Sequence, residues 1–277
     1  VEIALNTVNI KTKDFTWTTD LIYSHMHNEV TELNTLNRMY DYISGSGFTM
    51  PGYPQRSLFS IPFMGLNNEG LPTFLDQDGN VSVTGINMQE YDPERLKFLK
   101  YEGPVDPTDV GSLGNVFRYK GVTLNLFITY SFGNVVRLDP VFSSSYSDLT
   151  ATPKEFKDRW VKPGDENFTN VPVIASKQQL NNIAYLSTAY QAYNYSTERV
   201  AKGDFIRMKE ISLGYEFPKS ITQPLRLSNL SLKLMATNLF LIYADKKLNG
   251  QDPEFFNAGG VANPMPKQFT LTLKLGI

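Results

Sequence analysis

The chain has 277 residues and a nearly balanced charge, with 26 Lys and Arg against 28 Asp and Glu. This balance argues against a nucleic-acid-binding protein, which would carry a basic excess or a basic stripe. The absence of cysteine excludes disulfide bonds, thiolate metal sites and cysteine nucleophiles. We expect no transmembrane helix, since no run of about 18 apolar residues occurs, and no signal peptide within this chain.

Apolar and polar residues alternate with a period of two along much of the chain, which predicts β-strands. The predicted strands, in chain order, are Val1–Ile10, Phe15–His27, Ser57–Leu66, Leu71–Asp76, Leu113–Tyr119, Val122–Phe132, Phe205–Phe217, Ser228–Ile242 and Gln268–Ile277. These nine strands predict an all-β, antiparallel protein.

The alternation is compatible with two architectures. A soluble β-sandwich buries its apolar faces between two sheets, whereas a transmembrane β-barrel turns its apolar face to lipid and its polar face to a wet lumen. Most of the predicted strands reach the roughly 9–11 residues that a membrane strand needs, rather than the ~5–6 of soluble strands. Strand length therefore favours the barrel and leaves the sandwich as the alternative.

The connections between strands point the same way. Lys11–Asp14 and Lys120–Gly121 are short, whereas Glu29–Gln55, Gly133–Asp204 and Tyr243–Lys267 are long. Outer-membrane barrels have short periplasmic turns and long extracellular loops. We therefore expect the long connections Gly133–Asp204 and Tyr243–Lys267 at one end of a barrel, on its extracellular side.

The odd number of strands predicts an incomplete barrel. Bacterial single-chain barrels have even strand counts, so nine antiparallel strands are expected to form part of a larger barrel. With the short turns on the periplasmic side, Val1 lies at the extracellular end and Ile277 at the periplasmic end. The first and last strands are then expected not to pair with each other.

The last predicted strand assigns the two faces of the wall. Leu271, Leu273 and Leu275 share one face, and Thr272 and Lys274 share the other. A Lys at the midplane of the lipid face costs roughly 2–4 kcal/mol. We therefore predict that the three Leu residues face lipid and that Thr272 and Lys274 face the lumen.

Five segments spread along the chain carry recognisable motifs: Gly52–Phe59 (GYPQRSLF), Phe117–Leu124 (FRYKGVTL), Asp204–Pro218 (DFIRMKEISLGYEFP), Leu234–Phe240 (LMATNLF) and Asp252–Glu254 (DPE). The segment Asp204–Pro218 resembles the YIRLKNxxLGYxxP signature of SusC/RagA-type TonB-linked outer-membrane proteins. Phe117–Leu124 resembles the FxYKGFDL motif of the same proteins. Leu234–Phe240 resembles their strand with the sequence NLF, and Asp252–Glu254 matches their DPE motif. Because order and spacing hold along nearly the whole chain, the chain as a whole resembles this family.

The resemblance implies a function and a set of partners. Members of the family have a signal peptide, a TonB box, a plug and a 22-stranded barrel. Residues 1–277 would be the C-terminal part of that barrel, strands 14 to 22. The intact protein would be an active importer of oligosaccharides or peptides in the bacterial outer membrane, working with a SusD-like surface lipoprotein and the TonB complex. No enzyme activity, catalytic residue or cofactor is implied.

Two other functions remain open from the sequence. The alternative from another class is a soluble all-β glycan-binding module, with aromatic loops on a sandwich. A small pore formed by this segment alone is disfavoured by the odd strand count. Solubility separates the first alternative from the barrel, because a barrel segment needs detergent or partner strands and a sandwich does not.

Aromatic residues of the long connection Gly133–Asp204 are the candidate substrate-binding residues. They are Trp160, Tyr185, Tyr190, Tyr193 and Tyr195. Aromatic faces can stack on sugar rings or peptide side chains, but aromatic residues also hold barrel loops in place and form the interface girdle. Both interpretations stay open from the sequence.

Two polar groups could suggest a metal site, and we interpret neither as one. His25, His27 and Glu29 share one face at a strand end, a spacing that could bind a metal ion. We interpret them instead as the polar end of a strand that enters a loop. Asp76, Asp78 and Asn80, together with Gly79, resemble part of a calcium loop, but the further ligands of such a loop and its distal Glu are not at the required spacing. A turn is predicted there.

Overall fold

The computed structural model describes residues 1–44, 47–142, 153–256 and 266–277. Fourteen strands occur in these residues: β1 (Glu2–Lys11), β2 (Phe15–His25), β3 (Ser57–Ser60), β4 (Phe63–Leu66), β5 (Pro72–Leu75), β6 (Val81–Ser82), β7 (Lys100–Pro104), β8 (Asp109–Tyr119), β9 (Val122–Phe132), β10 (Val135–Arg137), β11 (Val200–Lys202), β12 (Phe205–Glu216), β13 (Asn229–Ala244) and β14 (Gln268–Gly276).

The helices are few and short. The described α-helices are α1 (Met39–Ile43), α2 (Lys177–Asn182), α3 (Leu186–Asn194) and α4 (Lys219–Thr222). Single 3₁₀ turns occur at Arg95–Phe98, Lys154–Asp158, Asp165–Asn167, Thr197–Arg199, Lys246–Leu248 and Pro253–Phe255. Among the described residues, no helix combines the length and the apolar character needed to cross a bilayer.

Seven long strands form one antiparallel sheet in the order β1-β2-β8-β9-β12-β13-β14. Strands that are neighbours in this order are hydrogen bonded to each other, and β1 and β14 form the two edges of the sheet. The edges are not hydrogen bonded to each other, which confirms that the first and last strands do not pair within this chain. The sheet is an open, antiparallel part of a barrel wall.

The predicted count of nine wall strands is wrong, because two predicted strands lie outside the sheet. Ser57–Leu66 is split at Pro62 into β3, which pairs with β7, and β4, which pairs with β5. The predicted strand Leu71–Asp76 contains β5, which pairs with β4 and β6. Proline has no N–H to donate and interrupts a strand. Leu58, Ile61 and Phe74 of these segments are buried within the long connections, so the alternation there does not mark a lipid face.

The connections of the sheet are short at one end and long at the other. Residues 12–14, 120–121 and 217–228 join strands at one end. Lys120 and Gly121 both have positive φ, 43° and 88°, which is the signature of a two-residue type I′ hairpin. The other connections, 26–108, 133–204 and 245–267, leave from the opposite end, which confirms that the long connections share one end of the sheet.

The sheet has one apolar and one polar face over much of its width. Leu271 pairs with Leu234, which pairs with Leu213, and this row continues to Leu124 in β9. One residue along, Thr272 is aligned with Lys233, Gly214 and Thr123 in a row on the opposite face. The predicted separation of Leu271, Leu273 and Leu275 from Thr272 and Lys274 therefore extends across strands. Contact with lipid stays a prediction.

The hydrophobic core lies in the long connections. Its main cluster joins the first two connections and includes Met39, Ile43, Ile61, Leu71, Phe74, Leu186 and Tyr193. A second cluster, which contains Val136, Leu138, Ala201 and Leu248, joins the second connection to the third. The three long connections therefore pack on one another as a body at one end of the sheet.

Candidate functional site

Helix α3 lies at the centre of the body formed by the long connections. It presents Leu186, Ala189, Tyr190, Ala192 and Tyr193 to the core. Tyr193 is fully buried, with its ring against Phe63 and Phe142 at centroid distances of 5.5 and 5.6 Å. Burial raises the pKa of the Tyr193 phenol. The ring of Tyr193 therefore holds the two connections together.

Three more of the predicted aromatic residues take part in similar packing. The Tyr190 hydroxyl donates to the Val173 carbonyl at 2.5 Å. Tyr195 packs edge-on against Tyr40, and burial, with a smaller contribution from the Tyr40 hydroxyl, raises its pKa to about 12. Trp160 is buried, and its indole N–H donates to Glu166 at 2.9 Å.

Trp160 also explains a glycine in the first connection. A Cβ on Gly70 would stand 2.4 Å from the Trp160 ring, so the ring requires glycine at its contact. Gly70 has a φ of 75°, a conformation that side chains disfavour. Trp160 therefore ties the second connection to the first, in the packing role that the sequence left open.

Tyr185 differs from the other four aromatic residues. Its side chain is 75% exposed, and its backbone is left-handed, with φ 62° and ψ 14°. A residue other than glycine in a sparsely populated conformation costs of order 1–3 kcal/mol, and such residues cluster at functional sites. Ligand contact by the five aromatic residues stays a prediction, and Tyr185 is the most exposed of the five.

Tyr185 lines an open cleft of about 610 Å³ between the first two connections. One wall is the outer face of α3, where Tyr185, Thr188 and Gln191 follow at intervals of three residues. The other wall is the extended segment 84–89, in which the side chains of Asn87 and Gln89 are exposed. Ligand pockets usually have volumes of about 300–1,000 Å³, so the cleft is large enough for a ligand.

Arg38 is the charged residue among those that line the cleft. Its guanidinium donates to the Asp41 carboxylate at 3.2 Å and to the Gln89 side-chain oxygen, also at 3.2 Å. The hydrogen bonds with Arg38 lower the pKa of the Asp41 carboxyl, so this pair is ionised at neutral pH. The other polar side chains of the lining are amides and hydroxyls.

Arg137, in the second connection, forms hydrogen bonds with residues of the first connection. Its guanidinium donates to the Phe59 carbonyl at 2.5 Å and to the Ser60 hydroxyl at 3.1 Å. It also reaches the Ser196 carbonyl at 3.3 Å. Burial lowers the pKa of Arg137 to about 10. The group is therefore charged at neutral pH, and these backbone and hydroxyl oxygens compensate for its burial.

Arg207 fastens the third connection to the sheet. It projects from β12, pairs with Asp252 and places its Nε 3.0 Å from Glu254. The side chains of Arg207 and Asp252 are only 6% and 5% exposed. Arg207 is aligned with Thr129 on the polar face of the sheet. Asp252 and Glu254 of the third connection therefore lie over this polar face.

The groups considered as metal sites form ordinary polar contacts. His25 Nδ1 lies 2.9 Å from the Asp109 carboxylate. The Asp76 carboxylate accepts the backbone N–H groups of Asp78 and Asn80, which is the predicted turn. Within the described part of the chain, no three metal-ligating side chains come together.

Comparisons with known proteins point to one class, the TonB-dependent receptors. The chain is 26% identical to such a receptor of Formosa agariphila, over 95% of this chain and 28% of that protein. It is 25% identical to the TonB-dependent receptor SusC of Bacteroides thetaiotaomicron, over 100% of this chain and 26% of that protein. The structure of the RagAB peptide transporter matches with a TM-score of 0.69 and 21% identity, over 99% of this chain and 28% of that chain.

These similarities confirm the resemblance to SusC/RagA-type TonB-dependent proteins that the motifs predict. The chain spans about a quarter of the length of the curated relatives that it matches. No protein-family model matches the chain. The relatives are receptors and transporters by name, which agrees with a function other than catalysis.

Sequence reasoning missed most of the cleft. Arg38, Asn87 and Gln89 belong to segments with no motif, and their neighbours in space come from another connection. The spacing of Tyr185, Thr188 and Gln191 was the available signal, because residues three apart share a helix face. This spacing indicates a shared face only if the segment is helical, and the sequence does not predict helix α3.

Proposed function

We propose that the chain is the C-terminal part of the barrel of an outer-membrane nutrient importer, together with three of its extracellular connections. The observation that carries this proposal is the open seven-stranded sheet, which has short turns at one end and a packed body of long connections at the other. Seven C-terminal strands of a 22-stranded barrel are strands 16 to 22.

In this function the two faces of the sheet have different surroundings. The apolar face contacts outer-membrane lipid, and the polar face, where Arg207 holds Asp252, lines the lumen. A SusD-like lipoprotein covers the body of connections and captures an oligosaccharide or a peptide with it. The TonB complex acts through parts of the transporter outside residues 1–277. Similarity to SusC and to the RagAB peptide transporter supports this assignment of partners.

A soluble glycan-binding sandwich is disfavoured by the exposure of the apolar face. A sandwich packs a second sheet on that face, yet Leu213 and Leu271 are 50% and 67% exposed. Within the described residues, no second sheet covers this row of leucines. The exposed row instead fits a surface that lipid covers.

The test is uptake by the full-length transporter in a bacterial host from which the native gene is deleted. Growth on an oligosaccharide mixture and on a peptide mixture is measured, with and without an intact TonB. Restored growth that requires TonB is the expected result. A full-length protein that fractionates with soluble proteins, or uptake that does not need TonB, would contradict the proposal. Co-purification from the outer membrane tests the lipoprotein partner separately.

A further inference from the structure

We propose that the cleft between α3 and the segment 84–89 binds an oligosaccharide, with the Tyr185 ring stacked on a sugar ring. The inference rests on the proposed function and narrows its substrate to one class. It assigns recognition to a site that combines two connections distant in sequence, 26–108 and 133–204.

The first argument is the position of the Tyr185 ring. The ring is largely exposed and is attached to a left-handed backbone, although its neighbours in α3 are buried in the core. The left-handed backbone opposes stability, and neither packing in the core nor a side-chain hydrogen bond of Tyr185 within the described residues offsets this cost. A ring held in this way is available to stack on the C–H face of a pyranose, which is apolar.

The second argument is the chemistry of the cleft walls. Thr188 and Gln191 on one wall face Asn87 and Gln89 on the other. An amide carries both donors and acceptors, and a hydroxyl is both at once. These groups match the hydroxyls of a sugar, each of which donates and accepts a hydrogen bond. Among the described residues no carboxylate lines the cleft, and the nearby Asp41 carboxylate is neutralised by Arg38, so an acidic sugar is compatible with the cleft.

The third argument distinguishes an oligosaccharide from a peptide. An extended peptide commonly binds by adding a strand to a free sheet edge. The segment 84–89 offers no free edge on its α1 side, where Tyr40 N–H donates to the Met88 carbonyl at 3.0 Å. The single charged lining residue, Arg38, is already paired with Asp41. The cleft thus recognises a ligand through neutral side chains and a ring, which suits a sugar.

The experiment measures binding by the purified full-length transporter in detergent. The probes are an array of defined neutral and acidic oligosaccharides and, separately, a pool of short peptides. The dissociation constant of the strongest array oligosaccharide is then compared between wild type, Tyr185→Ala, Tyr185→Phe and Gln191→Ala. Phe168→Ala is the matched control, because Phe168 is 91% exposed on the same connection and does not line the cleft.

We expect Tyr185→Ala to weaken oligosaccharide binding roughly tenfold, as the loss of one aromatic contact implies. Tyr185→Phe keeps most of the affinity, since it keeps the ring, and Phe168→Ala leaves it unchanged. Folding of the connections is not at risk in these variants, because both rings point to solvent.

Three results would overturn the inference: equal affinities of wild type and Tyr185→Ala, binding of peptides but not oligosaccharides, or no oligosaccharide binding at all. TonB-dependent uptake alongside any of these results would leave the proposed function standing. Loss of oligosaccharide binding in Tyr185→Ala without TonB-dependent uptake would support the cleft and contradict the importer.

Discussion

The seven-stranded sheet and the long connections place their apolar residues in opposite environments. In the sheet, Leu213, Leu234 and Leu271 are half or more exposed. In the connections, Phe74 and Tyr193 are fully buried. The connections therefore contain their own hydrophobic core, whereas the sheet depends on surroundings beyond this chain. Apolar alternation in the sheet marks one exposed apolar face, which we expect to contact lipid, whereas apolar clusters in the connections mark internal packing.

This contrast predicts that damage to the core of the connections leaves the wall intact. We expect Tyr193→Ala in the full-length protein to destabilise the connections by about 3–5 kcal/mol, because it leaves a cavity in the core. Limited proteolysis should then cut residues 26–108 and 133–204 readily, while heat-resistant migration in SDS gels shows a folded barrel. Tyr185→Ala on the same helix is the control and should not increase cleavage. Failure of the barrel to assemble would show that the two regions do not fold independently.

The buried Arg207 ion pair joins the sheet directly to the third connection. Removing one partner of a buried pair costs about 3–5 kcal/mol, because the other charge is left unpaired. We expect Arg207→Leu to release the third connection from the polar face and expose Gln251. Labelling of a Gln251→Cys variant measures this release, since this chain has no cysteine of its own.

The double variant Arg207→Leu with Asp252→Leu separates an unpaired charge from a loss of packing. With both buried charges removed, the labelling rate should fall back toward that of the parent. Equal labelling of the single and double variants would instead indicate that the ion pair itself is indispensable for docking of the third connection.

A charge placed on each face of the same strand tests the assignment of lipid and lumen. Leu126 and Asn125 are adjacent in β9, and Asn125 Nδ2 donates to Glu210 at 3.1 Å on the polar face. Leu126→Lys should cost roughly 2–4 kcal/mol at mid-height of a lipid face and reduce the folded fraction in the outer membrane. Asn125→Lys should be tolerated beside Glu210. Greater sensitivity at Asn125 would reverse the two faces.

Much of the sheet could be predicted from the sequence, because the period of two is imposed by the strand itself. Val122–Phe132 and the turn at Lys120–Gly121 have the predicted limits, and β12 ends within one residue of its prediction. Irregularities are less visible. The register of β13 against β12 shifts near Asn238, which has a φ of 54°. Asparagine tolerates this conformation better than most residues, but an asparagine alone does not predict a bulge.

The body of connections could not be predicted from local patterns. Segments such as β3 and β5 alternate like wall strands, although they are buried by residues far away in the sequence. The cleft depends on the same long-range packing, because it is formed only when α3 lies beside the segment 84–89. The sequence could not separate the aromatic rings that pack in the core from the one ring of the five that is largely exposed, and ligand contact by these residues stays a prediction.

The smallest effect that we predict concerns Tyr185, where the contrast between core and exposed surface occurs within one helix. A left-handed conformation costs a residue with a side chain about 1–2 kcal/mol, and asparagine less, because its short polar side chain can bond locally. We therefore expect Tyr185→Asn to stabilise the connections by up to about 1 kcal/mol, measured as slower proteolysis in partly denaturing urea. The same variant should lose affinity for the oligosaccharide along with Tyr185→Ala. Higher stability with lower affinity would show that the tyrosine is kept for contact with a ligand, since packing alone would favour the asparagine. Faster proteolysis would instead mean that the ring supports the fold, and the distinction between Tyr185 and its buried neighbours would then fail.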